Sequence, residues 1–407
     1  MTMTDVKSFF LTCLKDHLQG KKTTLPVSHI PLQELFRIAE EQSVSGIIYY
    51  QLSDQLELRV GKEGFEKHLI NDVYLSVNRE YLFKEAAEHF FKHGIEFSCM
   101  KGAVIKDCYP VPELRTMGDI DIIIHPEDRE QTDRIMKNEL SYKSFVDNQS
   151  VWTYDLGLYE FEIHDHMFYE YLANRFDYRT YFDSVWEHSS KKEVFGIMDD
   201  RLLVPDMAFH LLYTITHMAK HVINNGTGFR SYMDICLMSQ KIDNDDDWLY
   251  ISQELDKMGL LDFTGICSSL IKRWFDISIP IKTPDLDESF FNEITEKTFR
   301  DGTFGLSNKA NDPAKAAKEI RRSNSGYFLG AVRVVIKRLF PSYEDMQLIP
   351  WYSFVNGRPW LMPLAWFYRW GYSIINKFKQ GAGLLLEPLL KKKDIKEREV
   401  YLKKWGL

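Results

Sequence analysis

Apolar residues recur every three or four positions through residues 1–90, in "DVKSFFLTCLKDHL", "PLQELFRIAEEQ" and "INDVYLSVNREYLFKEAAEHFFKHG", and predict amphipathic helices, the last ending at Gly94. The period then shortens. "IEFSCMKG" is a brief apolar run, "AVIKDCY" a short helix, and "GDIDIIIH" alternates as a strand does. Pro126 followed by acids opens a helix over "PEDREQTDRIMKNEL", and "SVWTYDLGLYEFEIHDHMF" predicts two strands about a turn near Gly157. Residues 90–170 therefore read β, α, β, α, β, β. From Leu202 the helical period returns, in "PDMAFHLLYTITHMAKHVI" and "FRSYMDICLMSQ", with further helices to about residue 275. "RRSNSG" at 321–326 reads as a linker or surface loop, and an aromatic and basic tail follows. The expected fold class is α+β: a short mixed sheet flanked by N- and C-terminal helical regions. Its divisions are a helical region at 1–90, an α/β core at 91–200, a helical domain at 201–320 and a tail at 321–407.

Composition supports a globular chain with an ample core, since 44% of its 407 residues are hydrophobic. The five cysteines (Cys13, Cys99, Cys108, Cys236, Cys267) are scattered without a CxxC pair, which argues against a disulfide framework or a zinc ribbon and for a reducing, cytoplasmic setting. The uncharged run before Lys15 is too short for a signal-peptide core or a membrane span. A net charge of −8 argues against broad nucleic-acid binding, and no DNA partner is expected. That charge is uneven. From Arg358 onward the tail carries a local +7, leaving about −15 for the rest.

The aspartates in "GDIDIIIH" need a reason, because aspartate is a poor strand residue. Residues at i and i+2 of a strand share a face, so Asp119 and Asp121 present two carboxylates with Cα atoms roughly 7 Å apart, while Ile120, Ile122 and Ile124 fill the other face. Such a pair repels unless a divalent cation joins it, and Mg²⁺, or Mn²⁺ in its place, suits one or two carboxylates completed by water and phosphate. Upstream, Lys101-Gly102 ends a strand-like run. Gly102 there permits close backbone approach to an anion, and Lys101 offers a positive charge. A third carboxylate would complete a two-metal site, and Glu160 and Glu162 share one face of "YEFEIHD" with His164. Glu162, between Phe161 and Ile163, has the more central surroundings; spacing alone leaves Glu160 open.

The series Lys101-Gly102, Tyr109-Pro110, Arg115, Asp119-x-Asp121 and Glu162-Ile163-His164 resembles the uncharacterised nucleotidyltransferase family of the polymerase-beta-type superfamily. The resemblance spans roughly residues 80–240. It departs at Glu162, where the family has Asp, and at Ala103, which leaves the phosphate turn without the hydroxyl common in the wider superfamily. The resemblance implies a Mg²⁺-dependent enzyme, with two ions held by Asp119, Asp121 and Glu162. It implies that a nucleoside triphosphate, ATP among the candidates, is the nucleotidyl donor and that pyrophosphate is released. Lys101, Gly102 and Arg115 stand as candidates for the phosphates.

The acceptor is expected to be a hydroxyl, most simply that of a small molecule, with a protein or RNA end as alternatives. A second expectation is a nucleotide-binding module that no longer catalyses. Further along, "HLLYTITHMAKHV" and "FRSYMDICLM" are similar to the family's helical segment. His210, His217 and His221 share a helix face, on which Lys220 and His221 are candidates to lie near phosphate. Met218 stands where a zinc protease needs Glu, which excludes that class. Arg230 and Asp234, four apart, predict an intrahelical pair. In the tail, "PWLMPLAWFY" is too short to span a bilayer, and its aromatic and basic mixture leaves weak contact of residues 341–407 with a membrane surface or an acidic partner as an expectation.

Overall fold

The computed structural model describes residues 5–56, 62–147, 150–169, 171–172, 174–224, 226–303, 327–343, 346, 350–355, 357–371 and 392–407. Helices α1 (Asp5–Leu18), α2 (Leu32–Glu41), α3 (Ser45–Leu56) and α4 (Lys62–Lys92) open the chain. The stripes of α1, α2 and α4 follow from apolar spacing. Helix α3 has none, because consecutive residues from Ser45 to Ile48 are all buried. Gly94, at φ +76°, ends α4 in a Schellman motif, with Ile95 N–H donating to Phe90 O at 2.9 Å and Gly94 N–H to Phe91 O at 3.1 Å. This turn delivers the chain into the sheet.

The sheet has seven strands: β1 (Phe97–Cys99), β2 (Asp119–Ile124), β3 (Lys143–Asp147), β4 (Val151–Leu156), β5 (Tyr159–His164), β6 (Ser189–Lys191) and β7 (Leu202–Pro205). Their order is β3-β4-β5-β2-β1-β7-β6. It is mixed, because β1 runs parallel to β7 and β2 parallel to β5 while the other neighbours are antiparallel. The alternation read in residues 119–124 and about Gly157 is β2, β4 and β5, and Gly157 turns at φ +74°. Strands β3 and β6 lie at the edges, where few apolar contacts are needed and the sequence signal is weak. Strand β7 corrects the expectation of helix from Leu202: helix begins at Met207, because Leu202 and Leu203 extend the sheet beside Phe97 and Ser98.

Between the strands lie α5 (Gly102–Ile105), α6 (Arg129–Arg134), which Pro126–Asp128 opens as a 3₁₀ turn, and α7 (Tyr178–Phe182). Beyond β7 come α8 (Met207–Asn224), α9 (Phe229–Ser239), α10 (Asp245–Lys257), α11 (Leu261–Phe275) and α12 (Glu288–Asp301). One sheet face is the core. Phe97, Ile120, Ile122, Ile124, Tyr154, Phe161 and Ile163 pack there with Phe83, Ala86, Ala87 and Phe90 of α4. Each isoleucine and phenylalanine among them contributes about 1.5–3 kcal/mol by leaving water, which pins the register and turns the intervening polar residues to the opposite face. All five cysteines are buried free thiols.

The chain divides into two compact units. The first comprises Met1–Glu170, Asp177–Val222 and Gly226–Ser307 and contains the whole sheet. The second comprises Tyr171–Phe176, Ile223–Asn225 and Asn308–Leu407. Within it, the helix Tyr327–Leu339 precedes a small core of Met346, Tyr352, Val355, Met362 and Ala365, and the helix Lys392–Lys404 lies near the end. The linker expected at 321–326 lies outside the described residues. Among the described residues no helix is long and apolar enough to cross a membrane.

Candidate active site

The polar face of the sheet is built by one pairing. Strands β2 and β5 run parallel in register, with Asp119 opposite Glu160, Asp121 opposite Glu162, and Ile123 opposite His164. Side chains two apart on each strand share a face, so the acidic rows stand side by side on neighbouring strands about 4.8 Å apart. Asp121, Glu162 and His164 bring ligand atoms within 4.8 Å of one another, and so do Asp119, Glu160 and Glu162. Glu162 belongs to both groups. It also lines a cleft of about 300 Å³ together with Asp119, Asp121, Lys101, Gly102, Arg115, Lys220 and His221, so that the eight residues expected to hold metal or phosphate face one space. Glu160 is not among the cleft residues.

Burial gives the carboxylates different characters. Asp121 is 2% exposed, and desolvation alone would raise its pKa. Lys101 and His164 overcome that and hold it well below the usual carboxylate range: Lys101 Nζ donates to Asp121 Oδ1 at 2.5 Å and His164 Nε2 lies 3.1 Å from the same oxygen. Asp119 takes the opposite shift. The neighbouring charge of Asp121, and then burial, push its carboxyl up to about 7. The donor set fits a hard divalent cation, since three carboxylates lie along one wall, and His164 adds an imidazole nitrogen beside them.

Lys101 sits at the corner between β1 and α5 at φ +51° and ψ −126°, where an L-residue is strained by about 1–3 kcal/mol. Its backbone N–H donates to His210 Nε2 at 3.0 Å. Burial, followed by the charge of Arg115, lowers the His210 pKa to about 3, which keeps this nitrogen an acceptor. Next to it Gly102 is closely packed: a Cβ there would meet Arg115 Nη1 and Met117 Sδ at 2.9 Å, and those side chains would have to shift. Helix geometry leaves the amides of Gly102 and Ala103 without an intrahelical acceptor.

Arg115 lines the cleft, but its guanidinium is also a structural clasp. Its Nε and Nη2 donate to Asp234 Oδ1 and Oδ2 at 2.9 and 2.8 Å, and Tyr109 OH donates to the same Oδ1 at 2.7 Å. Asp234 is thus engaged in a bidentate pair with a residue on another element, where spacing had suggested an intrahelical pair with Arg230. Arg230 Nη1 donates to Thr116 O at 3.1 Å. Lys220 and His221 reach the cleft from α8 with His217, and His217 and His221 lie edge to face with ring centroids 4.5 Å apart. Three residues have roles that spacing does not assign: His164, His210 and Asp234. Only the position of His164, two after Glu162 on one strand face, carried a signal.

The model of the family described as "Uncharacterised nucleotidyltransferase" matches residues 28–276. No protein of curated function matches the chain significantly. Among solved structures, an antigenic nucleotidyltransferase-like protein from Paracoccidioides brasiliensis is similar, with 13% identity and a TM-score of 0.30, over 49% of this chain and 93% of that one. With the family model covering more than half of its length, the chain belongs to the uncharacterised nucleotidyltransferase family.

Proposed function

We propose that the protein transfers a nucleoside monophosphate group from a nucleoside triphosphate to a hydroxyl acceptor, using Mg²⁺ held by Asp119, Asp121 and Glu162. The observation that carries this reading is the parallel β2–β5 register, which lines Asp119, Asp121 and Glu162 along one wall of the cleft. Bound there, Mg²⁺ supplies positive charge to the phosphates and acidifies the attacking hydroxyl.

The chain's own groups do the rest. The Gly102 turn and Lys101 receive the β and γ phosphates, and Lys220 adds positive charge from α8, from which His221 also lines the cleft. The acceptor oxygen bonds to the α-phosphorus as the bond to the β-phosphate oxygen breaks. Pyrophosphate leaves with that electron pair, and the acceptor proton passes to Asp119 or Glu162. A confined cleft on an acidic chain favours a small hydroxylated acceptor over a protein or RNA end.

The test is incubation of the full chain with each α-labelled nucleoside triphosphate, Mg²⁺ and a metabolite extract, reading pyrophosphate and mass-shifted products. Wild type is expected to label a product, and Asp119→Asn and Asp121→Asn to lose about 100-fold or more of that rate. Nucleotide binding without turnover across a broad acceptor panel would support a non-catalytic binding module. Absence of Mg²⁺-dependent nucleotide binding would reject both.

A further inference from the structure

One residue of the site is placed against its expected partner. Lys101 belongs to the phosphate turn, yet its ammonium is folded back onto the carboxylates, 2.5 Å from Asp121 Oδ1 and 3.7 Å from Glu162 Oε2. Those are two of the three oxygen donors that line the cleft for a divalent cation. The contact is built from the backbone up: the strained φ of +51° at Lys101, held by the N–H bond to buried His210, sets the direction in which the side chain leaves the corner. Buried Asp121 then receives the ammonium and the His164 ring on one oxygen. A divalent cation brought to Asp121 and Glu162 would stand beside this ammonium, and two positive charges at such separation repel strongly where solvent screening is poor. The lysine has a flexible four-carbon stem and opens onto the same cleft as Gly102.

We propose that Lys101 is an exchangeable counter-cation of the metal site. In the free protein it neutralises the Asp121–Glu162 pair, and when a metal–triphosphate enters, its ammonium moves from carboxylate to phosphate. This rests on the metal-binding reading above and adds an order to it: metal alone competes with Lys101 and binds weakly, whereas metal and triphosphate together give the ammonium a new partner and bind as a unit. Lys101 thereby couples occupancy of the metal site to the presence of nucleotide. No covalent step is involved; one ion pair is exchanged for another.

The experiment measures Mn²⁺ binding to the full chain by electron paramagnetic resonance without nucleotide. It then measures binding of a non-hydrolysable α,β-methylene triphosphate analogue with Mn²⁺ present. Lys101→Met is expected to tighten Mn²⁺ alone by roughly tenfold, as removal of a neighbouring like charge does, and to weaken the analogue by a similar factor. Lys101→Arg, which keeps the charge, should leave Mn²⁺ affinity near wild type. Circular dichroism melts check folding, and Lys101→Gln replaces the Met variant should that one not fold. Equal or weaker Mn²⁺ binding by the neutral variant overturns the exchange while leaving the metal site standing. If neither wild type nor the neutral variant binds Mn²⁺, the metal site falls and the exchange with it.

Discussion

Asp121 keeps its charge deep in the protein because two cationic or donor groups replace the water it has lost, Lys101 on one side and His164 on the other. Asp119, two residues away on the same face, is instead raised by the charge of Asp121 and by burial, which outweigh the pull of Lys101. The contrast shows how one strand period can give two chemically distinct carboxylates. A similar environment effect acts at His17 in α1, which is 1% exposed and held near Gln51. Burial, with the charge of Lys22 behind it, lowers its pKa from 6.5 to about 4. The unfolded chain therefore takes up this proton first, so the contribution of neutral His17 is complete above pH 6.5 and is lost as pH falls toward 4. The stability advantage of wild type over His17→Asn is expected to shrink by about 2 kcal/mol between pH 7.5 and pH 5. Urea unfolding at the two pH values measures it, and an advantage that does not change with pH would contradict the buried neutral histidine.

Among the elements, the loop between α5 and β2 is held to α9 by the Arg115–Asp234–Tyr109 cluster rather than by apolar packing alone. Burial opposes the Arg115 charge, and Asp234 more than offsets this, raising the guanidinium further above its ordinary pKa. Asp234→Ala would strand that charge and is expected to cost about 3–5 kcal/mol of stability. A loss in the urea midpoint equivalent to under 1 kcal/mol would show the pair to be unimportant. In the second unit, the helix at 362–371 and the turn before it bury Met362 and Ala365 but leave Trp360, Leu364, Phe367 and Tyr368 each more than half exposed. Leu364, Phe367 and Tyr368, spaced by three and four, share one face of the helix, Trp360 lies in the 3₁₀ turn before it, and Arg358 and Arg369 are near them in the sequence. Co-sedimentation with vesicles containing anionic lipid is expected to be stronger for wild type than for a Trp360→Ala, Phe367→Ala double variant. Equal partitioning of both would discard the membrane-surface expectation for the tail.

At the scale of the whole molecule, ligand and fold are linked, because anything that binds the native cleft and not the unfolded chain raises stability. With Mg²⁺ and a non-hydrolysable triphosphate at about 100 times the dissociation constant, the gain is about 2.7 kcal/mol. The melting temperature of wild type should rise by several degrees under those conditions, and that of Asp121→Asn should not. Differential scanning calorimetry decides it, and equal shifts in both proteins would place the nucleotide elsewhere.

The sequence by itself determined the α+β class, the strand bearing Asp119 and Asp121, the hairpin about Gly157 and eight of the residues that line the cleft. These are local matters: strand and helix periods place side chains on faces whatever the partner. It left Glu160 and Glu162 on an equal footing of spacing, it paired Asp234 with the wrong arginine by proximity in sequence, and it missed the short strands β3, β6 and β7. Only the tertiary structure decided that Glu162 stands across from Asp121 in the cleft, that Asp234 clasps Arg115 119 residues away, and that Lys101 rests on a carboxylate. Strand register and buried ion pairs join residues far apart in the chain, where no spacing rule connects them, and their geometry is set by the packing of the isoleucine face against α4.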